Sequence, residues 1–548
     1  MLQKVLKLLI LSLLINGFIY ADEIDYQDNA SIIINNSLKA QPKHKFLRHL
    51  YKRVLYMPIW TKEHSLSEAA NDLFRSIEQD QTLNHNGKLY NDAKILHKMA
   101  IDVYQQNDSL AKKVSIEFKI SQIYQGYMNY LYFGSINWGA FKARIANLMI
   151  DDVHTDWVLH RPKVDPAIVA EKALFTHDLA KQLDRLTPSQ YHYRALQKEL
   201  IKYMQIKENG GWQKVALSTS KLKPHHKDKG IITLKKRLKA TGDYQDVIDE
   251  DIVYNDELID AVKRFQTRHG LRADGIVGTV TLKALNQSIE DKIQKIRLNL
   301  DRIKWLSKRE GRYHIIINIP EFMLYFEDNG KVIQTMRVIT GKPNHPTPIF
   351  SDEVELIVLN PYWNVPTSII QKEMIPKLLR NPYALEKQGI EIRDGWGKNA
   401  SVIDPASVDW RAYRYSKRVP YRFAQVPGYK NALGKIKFLF PNKFSVYMHD
   451  TPTKRLFKRY KRAFSHGCIR LQKPIELLKT FASIDSSIDL DKSMRILKGK
   501  KSFIQKLQQH IPVDIVYLTA FVDYDGKLQF RDDVYGYDKM QLKSFREW

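Results

Sequence analysis

The sequence predicts a multidomain α+β protein in which a long helical region precedes a mostly-β region. At ~100–200 residues per domain, a chain of 548 residues suggests about three domains, each able to bury its own core. Apolar residues follow three-four spacing through much of 46–229, which is typical of amphipathic helices. After about residue 312, β-branched runs and turn signals that are typical of strands replace that spacing.

The composition narrows the class of protein. A hydrophobic content of 44% and an aromatic content of 11% exclude a mostly disordered chain. The single cysteine excludes an intramolecular disulfide framework and any cysteine-cluster metal site. A formal net charge of +27 predicts polyanionic surroundings, which are nucleic acid, an anionic membrane or a cell-wall mesh.

The first 21 residues predict export. Lys4 and Lys7 form a short basic head, an apolar run follows over 8–15, and Ala21 offers a small residue at a cleavage point. This order is typical of a secretory signal peptide cut after Ala21, and the apolar stretch would also suit an uncleaved inner-membrane anchor. Export argues against nucleic acid as a partner.

Two segments of the helical half carry no residues with catalytic spacing. Residues 22–45 are polar and Asn-rich, which predicts a loose leader. Residues 46–229 predict a helical domain, either a docking scaffold or an ordinary helical fold. The apolar positions of 91–107 illustrate the three-four spacing: Ala93, Leu96, Met99, Ala100, Val103 and Tyr104.

Residues 230–287 predict a small unit of three short helices. Its second helix carries Leu258, Val262 and Phe265 on one face, and Gly270 is placed as a helix stop. The order and spacing of the segments 261–266, 270–275 and 278–286 resemble the peptidoglycan-binding domain that many wall enzymes share. The resemblance implies wall targeting without chemistry of its own; the alternative is a generic three-helix bundle.

A helical connector over 288–311 leads into the β region. Strands are predicted at 313–319, 323–327, 332–339, 355–359, 436–440, 444–448, 513–522 and 527–531. Residues 372–428 interrupt this pattern with scattered Gly, Pro and aromatic residues. We interpret them as an insertion into a β domain.

The only cysteine lies in a compact turn. Cys468 follows Ser465, His466 and Gly467, and His449 ends a predicted strand nineteen residues upstream. A nucleophilic thiol needs a base or a nearby cation, and the histidines supply candidates. Gly467 permits backbone N–H groups to converge on one point, as an oxyanion hole requires.

These segments resemble the L,D-transpeptidase catalytic domain of the YkuD type. By resemblance, Cys468 is the nucleophile and His449 the base, and the backbone of His466, Gly467 and Cys468 forms the oxyanion hole. The imidazole of His466 then lines the substrate channel. Further segments resemble the large Gram-negative members that make 3→3 crosslinks: 338–343, 359–366, 431–434 and 530–536.

That subgroup implies a complete architecture and activity. It implies a helical scaffold domain over 46–229, a peptidoglycan-binding domain over 230–287, and a mostly-β catalytic domain over 312–548 with a capping insertion over 372–428. The implied reaction proceeds through a cysteine thioester in the periplasm, releases D-Ala from stem peptides that contain meso-diaminopimelate, and uses no metal or organic cofactor. Carbapenems are implied inhibitors, and other wall-synthesis enzymes are candidate partners.

Three alternatives stay open. An L,D-carboxypeptidase would use water as the acceptor, a protein-anchoring transpeptidase would use a lipoprotein lysine, and a wall-binding protein would need no catalysis. Arg470 stands where many family members have Asn, so it either binds a stem carboxylate or pairs within the domain. Either a carbonyl or a carboxylate orients His449.

The insertion is predicted to be either a lid or a stable surface subdomain. Trp396 is predicted to contact substrate. Together with three other aromatic residues it would offer a surface for covering a peptide stem, and these residues are Trp410, Tyr413 and Tyr415.

Overall fold

The computed structural model describes residues 23–40, 43–147, 156–160, 164–306, 311–397, 400–416 and 418–545. The predicted signal peptide over 1–21 lies outside the described residues. The predicted multidomain α+β class is confirmed, with a helical N-terminal part, a small helical unit and a mostly-β domain. In the part of the chain that the structure describes, no helix is long and apolar enough to cross a membrane.

The N-terminal part contains nine helices within the described ranges. They are α1 (23–40), α2 (Lys45–Arg53), α3 (Glu68–Gln79), α4 (Lys88–Gln105), α5 (Leu110–Phe133), α6 (Trp138–Ala146), α7 (Pro166–Thr176), α8 (Leu179–Asp184) and α9 (Tyr193–Glu208). Helix α1 corrects the prediction of a loose leader over 22–45. Its residues Tyr26, Ala30, Ile34 and Leu38 recur every four positions and are buried in the scaffold core, which holds the helix in place despite its polar composition.

The helical region does not pack as one body. Helix α6 and Trp157 pack in the core of the β domain, where the Trp157 and Trp305 ring centroids lie 5.4 Å apart. Helix α9 packs instead on the connector helix α13 (Ile289–Lys304). The predicted domain over 46–229 is therefore shared between its own core and two neighbouring ones.

The small unit comprises α10 (Ile231–Ala240), α11 (Asp256–Arg268) and α12 (Thr279–Leu285) around its own apolar core. It is docked on the β domain, where Arg531 Nη1 donates to the Arg268 carbonyl at 3.1 Å. Gly270 has φ +62°, and a Cβ there would lie 2.8 Å from Arg531 Cδ. The glycine thus ends the helix and permits this close approach.

The core of the β domain is a nine-stranded sheet in the order β10-β3-β11-β9-β8-β4-β12-β1-β2. Because β2 also pairs with β3, the sheet closes on itself. Its strands are β1 (Tyr313–Asn318), β2 (Met323–Asp328), β3 (Lys331–Gly341), β4 (Phe350–Leu359), β8 (Ile436–Leu439), β9 (Met448–His449), β10 (Ala463–Ser465), β11 (Ile469–Leu471) and β12 (Phe503–Val516). A separate hairpin, β13 (Ala520–Val522) and β14 (Leu528–Phe530), and the helices α16 (Pro474–Ile484), α17 (Leu490–Lys498) and α18 (Tyr537–Leu542) complete it.

Three strand predictions are wrong in their bounds. The strand predicted at 355–359 begins earlier, at Phe350. Residues 444–447 form a loop, because the Asn442 side-chain oxygen accepts from the Phe444 and Val446 N–H groups and Ser445 has φ +55°. The strand predicted at 513–522 is two strands, and the first begins at Phe503. The chain leaves the sheet after Val516, where Asn318 Oδ1 accepts from the Leu518 N–H at 2.9 Å.

The insertion is a compact subdomain, which we call the cap. It has a three-stranded sheet of β5 (Trp363–Asn364), β7 (Arg422–Gln425) and β6 (Ile390–Arg393), the short helices α14 (Thr367–Ile369) and α15 (Ile375–Leu378), and its own apolar core. It begins near residue 363 rather than 372. Trp410 is buried in that core, so the prediction that it covers substrate is wrong.

Candidate active site

Strand pairing places Cys468 and His449 on one face of the sheet. Strand β9 lies beside β11 in parallel, with Met448 opposite Ile469, and both of these side chains are fully buried in the core. Side chains alternate along a strand, so the residues next to this pair in sequence point to the other face. Cys468 therefore stands next to the Tyr447–His449 stretch, although nineteen residues separate it from His449.

A backbone carbonyl orients the His449 ring. The ring is buried, and its Nδ1 lies 2.5 Å from the Asp450 carbonyl oxygen. This contact resolves the alternative between carbonyl and carboxylate in favour of the carbonyl. A proton on Nδ1 leaves the lone pair of Nε2 as the basic site. Burial, followed by the Arg470 and Lys437 cations, lowers the pKa of His449 to about 3, so the ring is neutral near pH 7.

The Asp450 carboxylate braces the same segment. It accepts from the Thr451 N–H at 2.7 Å and the Lys435 N–H at 2.9 Å, and it pairs with Lys454. It also fills the space beside Gly434, where a Cβ would lie 2.3 Å from Asp450 Oδ2 and the backbone has φ +61°. Only glycine fits at this position without displacing Asp450.

The Cys468 thiol is partly exposed and protonated in the resting site. Its Sγ lies 3.9 Å from the Ser445 carbonyl oxygen. Burial raises the pKa of the thiol, and Tyr447, Lys437 and Arg470 only partly offset that effect. The resting pair is therefore a neutral thiol and a neutral imidazole.

The backbone N–H groups of the turn at 465–468, which we call the catalytic turn, differ in their hydrogen bonding, and the predicted oxyanion hole stays a prediction. The Gly467 N–H donates to Ser465 Oγ at 3.2 Å, so it is already engaged. Among the described residues, neither the His466 N–H nor the Cys468 N–H has a hydrogen-bond acceptor, so both are available as donors. Gly467 contributes its φ of +114°, and its carbonyl accepts from Thr347 Oγ1 at 2.7 Å.

The cap contacts the catalytic turn. Glu373 of the cap has its Oε1 3.4 Å from His466 Nε2, and the ring centroids of His466 and His345 lie 4.8 Å apart. Burial, followed by Lys342, lowers the pKa of His466, and Glu373 partly offsets this. The cap therefore reaches the catalytic turn at His466, two residues before Cys468 in the sequence.

Arg470 has no carboxylate partner among the described residues. Its Nη1 donates to Thr453 Oγ1 at 3.3 Å, and its Nε is buried without a partner. This geometry favours the first of the two alternatives, binding of a substrate carboxylate. Trp396 is 64% exposed, and its ring centroid lies 5.9 Å from the Arg422 guanidinium carbon, so its contact with substrate stays a prediction.

The structure adds residues that the sequence did not single out. Lys437 lies opposite His449 on strand β8, with its Nζ 3.7 Å from the Tyr447 ring centroid. Tyr447 lies two residues before His449, so strand alternation alone could have predicted that both side chains share a face. Lys437, His345 and Glu373 reach the site only through contacts between segments that are distant in the sequence. In the described ranges, no group of three or more His, Cys, Asp or Glu side chains could hold a metal ion.

Family models match three segments of the chain. Residues 45–200 match the "Scaffold domain", residues 227–285 the "Putative peptidoglycan binding domain", and residues 312–491 the YkuD "L,D-transpeptidase catalytic domain". The chain therefore combines a scaffold, a peptidoglycan-binding and a YkuD-type L,D-transpeptidase domain, which confirms the resemblance to these domains that the motifs indicated.

One curated relative from Haemophilus influenzae is named "Putative L,D-transpeptidase" and is 32% identical over 246 residues. The match covers 45% of this chain and 48% of the relative, so it spans about half the length of each.

Solved structures of L,D-transpeptidases resemble the chain only weakly. One from Stackebrandtia nassauensis is 15% identical, with a TM-score of 0.22, and the alignment covers 55% of this chain and 97% of that one. One from Mycobacterium smegmatis is 13% identical, with a TM-score of 0.18, and the alignment covers 37% of this chain and 58% of that one. These TM-scores are too low to support an argument about the fold, which is defined by the strand order of the β domain described above.

Proposed function

We propose that this protein is a peptidoglycan L,D-transpeptidase that forms 3→3 crosslinks, with Cys468 as nucleophile and His449 as base. The observation that carries the proposal is the shared face of these two residues, with His449 Nδ1 held by the Asp450 carbonyl. The wall-binding and transpeptidase domains supply the substrate class.

The first half of the reaction acylates the enzyme. His449 Nε2 takes the thiol proton as Cys468 Sγ attacks the carbonyl of the third stem residue, meso-diaminopimelate. The Cys468 N–H stabilises the resulting oxyanion, and one such donor is typically worth ~2.7–4 kcal/mol. The carbon–nitrogen bond then breaks, and the imidazolium gives its proton to the departing amine of D-Ala. A pKa of about 3 for His449 makes its protonated form a strong acid for this step.

The second half transfers the acyl group. The side-chain amine of another stem attacks the thioester, His449 takes its proton, and the thiol is restored. Water would give a tripeptide instead, as in a carboxypeptidase, and a protein lysine would give an anchored protein. The cap beside Cys468 favours crosslinking, because a covered thioester is less open to water.

The remaining assignments complete the proposal. Residues 1–21 direct the protein to the periplasm, either as a cleaved signal or as an anchor, and residues 230–287 tether it to the wall. No step needs a metal or an organic cofactor. Other wall-synthesis enzymes are proposed partners, and a carbapenem is proposed to acylate Cys468 through its strained lactam ring.

Mass spectrometry of wall fragments after incubation with purified protein tests this function. Wild type should release D-Ala and produce 3→3 crosslinks, and Cys468→Ala should do neither while still sedimenting with peptidoglycan. Intact-protein mass should show one carbapenem per wild-type chain and none on the variant. Turnover by Cys468→Ala would refute the nucleophile. If tripeptide is the only product of the wild type, the result favours an L,D-carboxypeptidase. If the wild type sediments with peptidoglycan but shows no turnover, the result favours a non-catalytic wall-binding protein.

A further inference from the structure

The segment between the two proposed catalytic residues is strongly basic. Residues 454–464, which we call the basic loop, contain six Lys or Arg residues in eleven positions and no acidic residue. Aromatic residues are interleaved among them. The catalytic mechanism uses none of these cations.

Three of the six cations have hydrogen-bond or ion-pair partners within the protein. Arg462 is buried and donates to backbone carbonyls, including that of Phe322 at 3.0 Å. Lys454 pairs with Asp450, and Lys461 pairs with Asp532 at 2.9 Å.

The other three cations face solvent. Arg455, Lys458 and Arg459 are exposed, and among the described residues none of them has a carboxylate within ion-pair distance. Like charges held at a surface without partners carry a repulsive cost that a polyanionic ligand relieves.

Two of these cations, Lys458 and Arg459, line a groove that two domains share. The inter-domain groove lies between the basic loop and Arg272 of the peptidoglycan-binding domain. Its lining residues are Arg272, Leu456, Lys458, Arg459, Tyr460, Lys461 and Phe464. Tyr460 and Phe464 are 53% and 41% exposed, so both rings are accessible to a ligand in the groove.

Two adjacent residues fix both walls of the groove. Arg531 donates to the Arg268 carbonyl of the peptidoglycan-binding domain and pairs with Glu321 at 3.0 Å. Asp532, the next residue, holds Lys461 of the basic loop. The groove is therefore a built feature of the docked domains.

The groove borders the strand that precedes the turn at 465–468. Phe464, which lines the groove, belongs to β10, and the next residue, Ser465, donates through Oγ to the Cys468 carbonyl at 2.5 Å. Four residues of sequence therefore separate the groove residue Phe464 from Cys468.

We propose that the inter-domain groove binds a peptidoglycan strand and presents its stem peptides to Cys468. Lys458, Arg459 and Arg272 bind the stem carboxylates, and the exposed faces of Tyr460 and Phe464 contact the sugar rings. A cleft lined by one sign of charge also concentrates an acidic polymer near the site. The inference rests on the proposed function and adds the path by which the polymer reaches the thiol.

The test compares Lys458→Gln/Arg459→Gln with a matched control on the scaffold, Lys181→Gln/Arg185→Gln, which removes the same charge. Transfer is measured on long glycan strands and on a free tetrapeptide stem, and acylation is measured with a carbapenem. We expect a five- to twentyfold fall in kcat/KM on long strands, mostly through KM, with carbapenem acylation within twofold of wild type. The control should match wild type on every substrate. Tyr460→Ala should weaken strand binding without changing the charge.

The outcomes separate this inference from the proposed function. If the wild type lacks turnover, the proposed function fails. Co-sedimentation with purified peptidoglycan still tests whether the groove binds the polymer, and unchanged binding by Lys458→Gln/Arg459→Gln overturns the groove proposal. An equal loss on the free tetrapeptide, or an equal loss in the scaffold control, also overturns it. Loss of binding to anionic phosphatidylglycerol vesicles, with peptidoglycan binding intact, would assign the groove to the membrane instead.

Discussion

Replacing Gly434 with Ala tests whether Asp450 positions the proposed base. The new Cβ would lie 2.3 Å from Asp450 Oδ2 and 2.4 Å from its Cγ, distances that no packed methyl group tolerates. Asp450 must move, and it carries the carbonyl that holds His449 Nδ1. The expected result is a loss of both stability and thiol chemistry.

The size of the effect follows from two terms. A non-glycine residue at φ +61° costs roughly 1–2 kcal/mol. Displacing the carboxylate weakens its bonds from the Thr451 and Lys435 N–H groups, and hydrogen bonds to a charged group are worth about 1.5–3 kcal/mol each. Partial relaxation leaves a total of roughly 3–5 kcal/mol. We expect the rate of carbapenem acylation to fall at least a hundredfold, because the ring loses its orientation.

Gly526→Ala is the matched control. Gly526 has φ +75°, and no atom lies within 4 Å of its hypothetical Cβ, so this change carries the backbone cost alone. Thermal denaturation should place Gly434→Ala roughly 4–12 °C below Gly526→Ala, since 1 kcal/mol shifts Tm by about 2–4 °C in domains of this size. Equal Tm values together with normal acylation by Gly434→Ala would refute the positioning role of Asp450.

Three further predictions concern charge around the thiol. The rate of Cys468 alkylation by iodoacetamide should keep rising with pH through 9, because burial raises the thiol pKa and the neutral His449 supplies no cation; a plateau below pH 7 would contradict this. Arg470→Gln should move that profile to higher pH and raise KM for stem peptides, with partial rescue by Arg470→Lys, and an unchanged profile would remove Arg470 from the site. Glu373→Gln should change the free energy of unfolding by less than ~1 kcal/mol, because the pair with His466 is exposed. The same variant should raise the share of hydrolysed tripeptide among the products, and an unchanged share would mean that the contact is purely structural.

Local patterns in the sequence were sufficient where chemistry depends on neighbours along the chain. The turn at 465–468 and the strand end at His449 could be predicted, because a Gly-permitted turn and a strand terminus are local features. The buried face of α1 was also present in the sequence, as a four-residue period, but polar composition concealed it. Composition averages over both faces of a helix, and burial depends on one face only.

Long-range pairings could not be predicted. Lys437 reaches His449 only through the antiparallel register of β8 and β9, and Glu373 reaches His466 only once the cap has folded. The prediction of a strand over 444–448 was wrong for a different, local reason. Its residues alternate as a strand would, yet the Asn442 side chain takes the N–H groups that a ladder needs.

The two cations near the thiol act in opposite senses on the proposed nucleophile and the proposed base. Arg470 and Lys437 lower the pKa of both Cys468 and His449, so in the empty site they favour the thiolate while weakening the base. A stem carboxylate bound to Arg470 would cancel part of that positive charge and so oppose one of the causes, after burial, that lower the pKa of His449. The partner-free Nε of Arg470 and the absence of an acidic partner among the described residues leave the guanidinium available for that role. A partly exposed thiol beside a weak base then stays protonated until a substrate arrives, which suits the proposed role of Cys468, the only cysteine of the chain, as nucleophile.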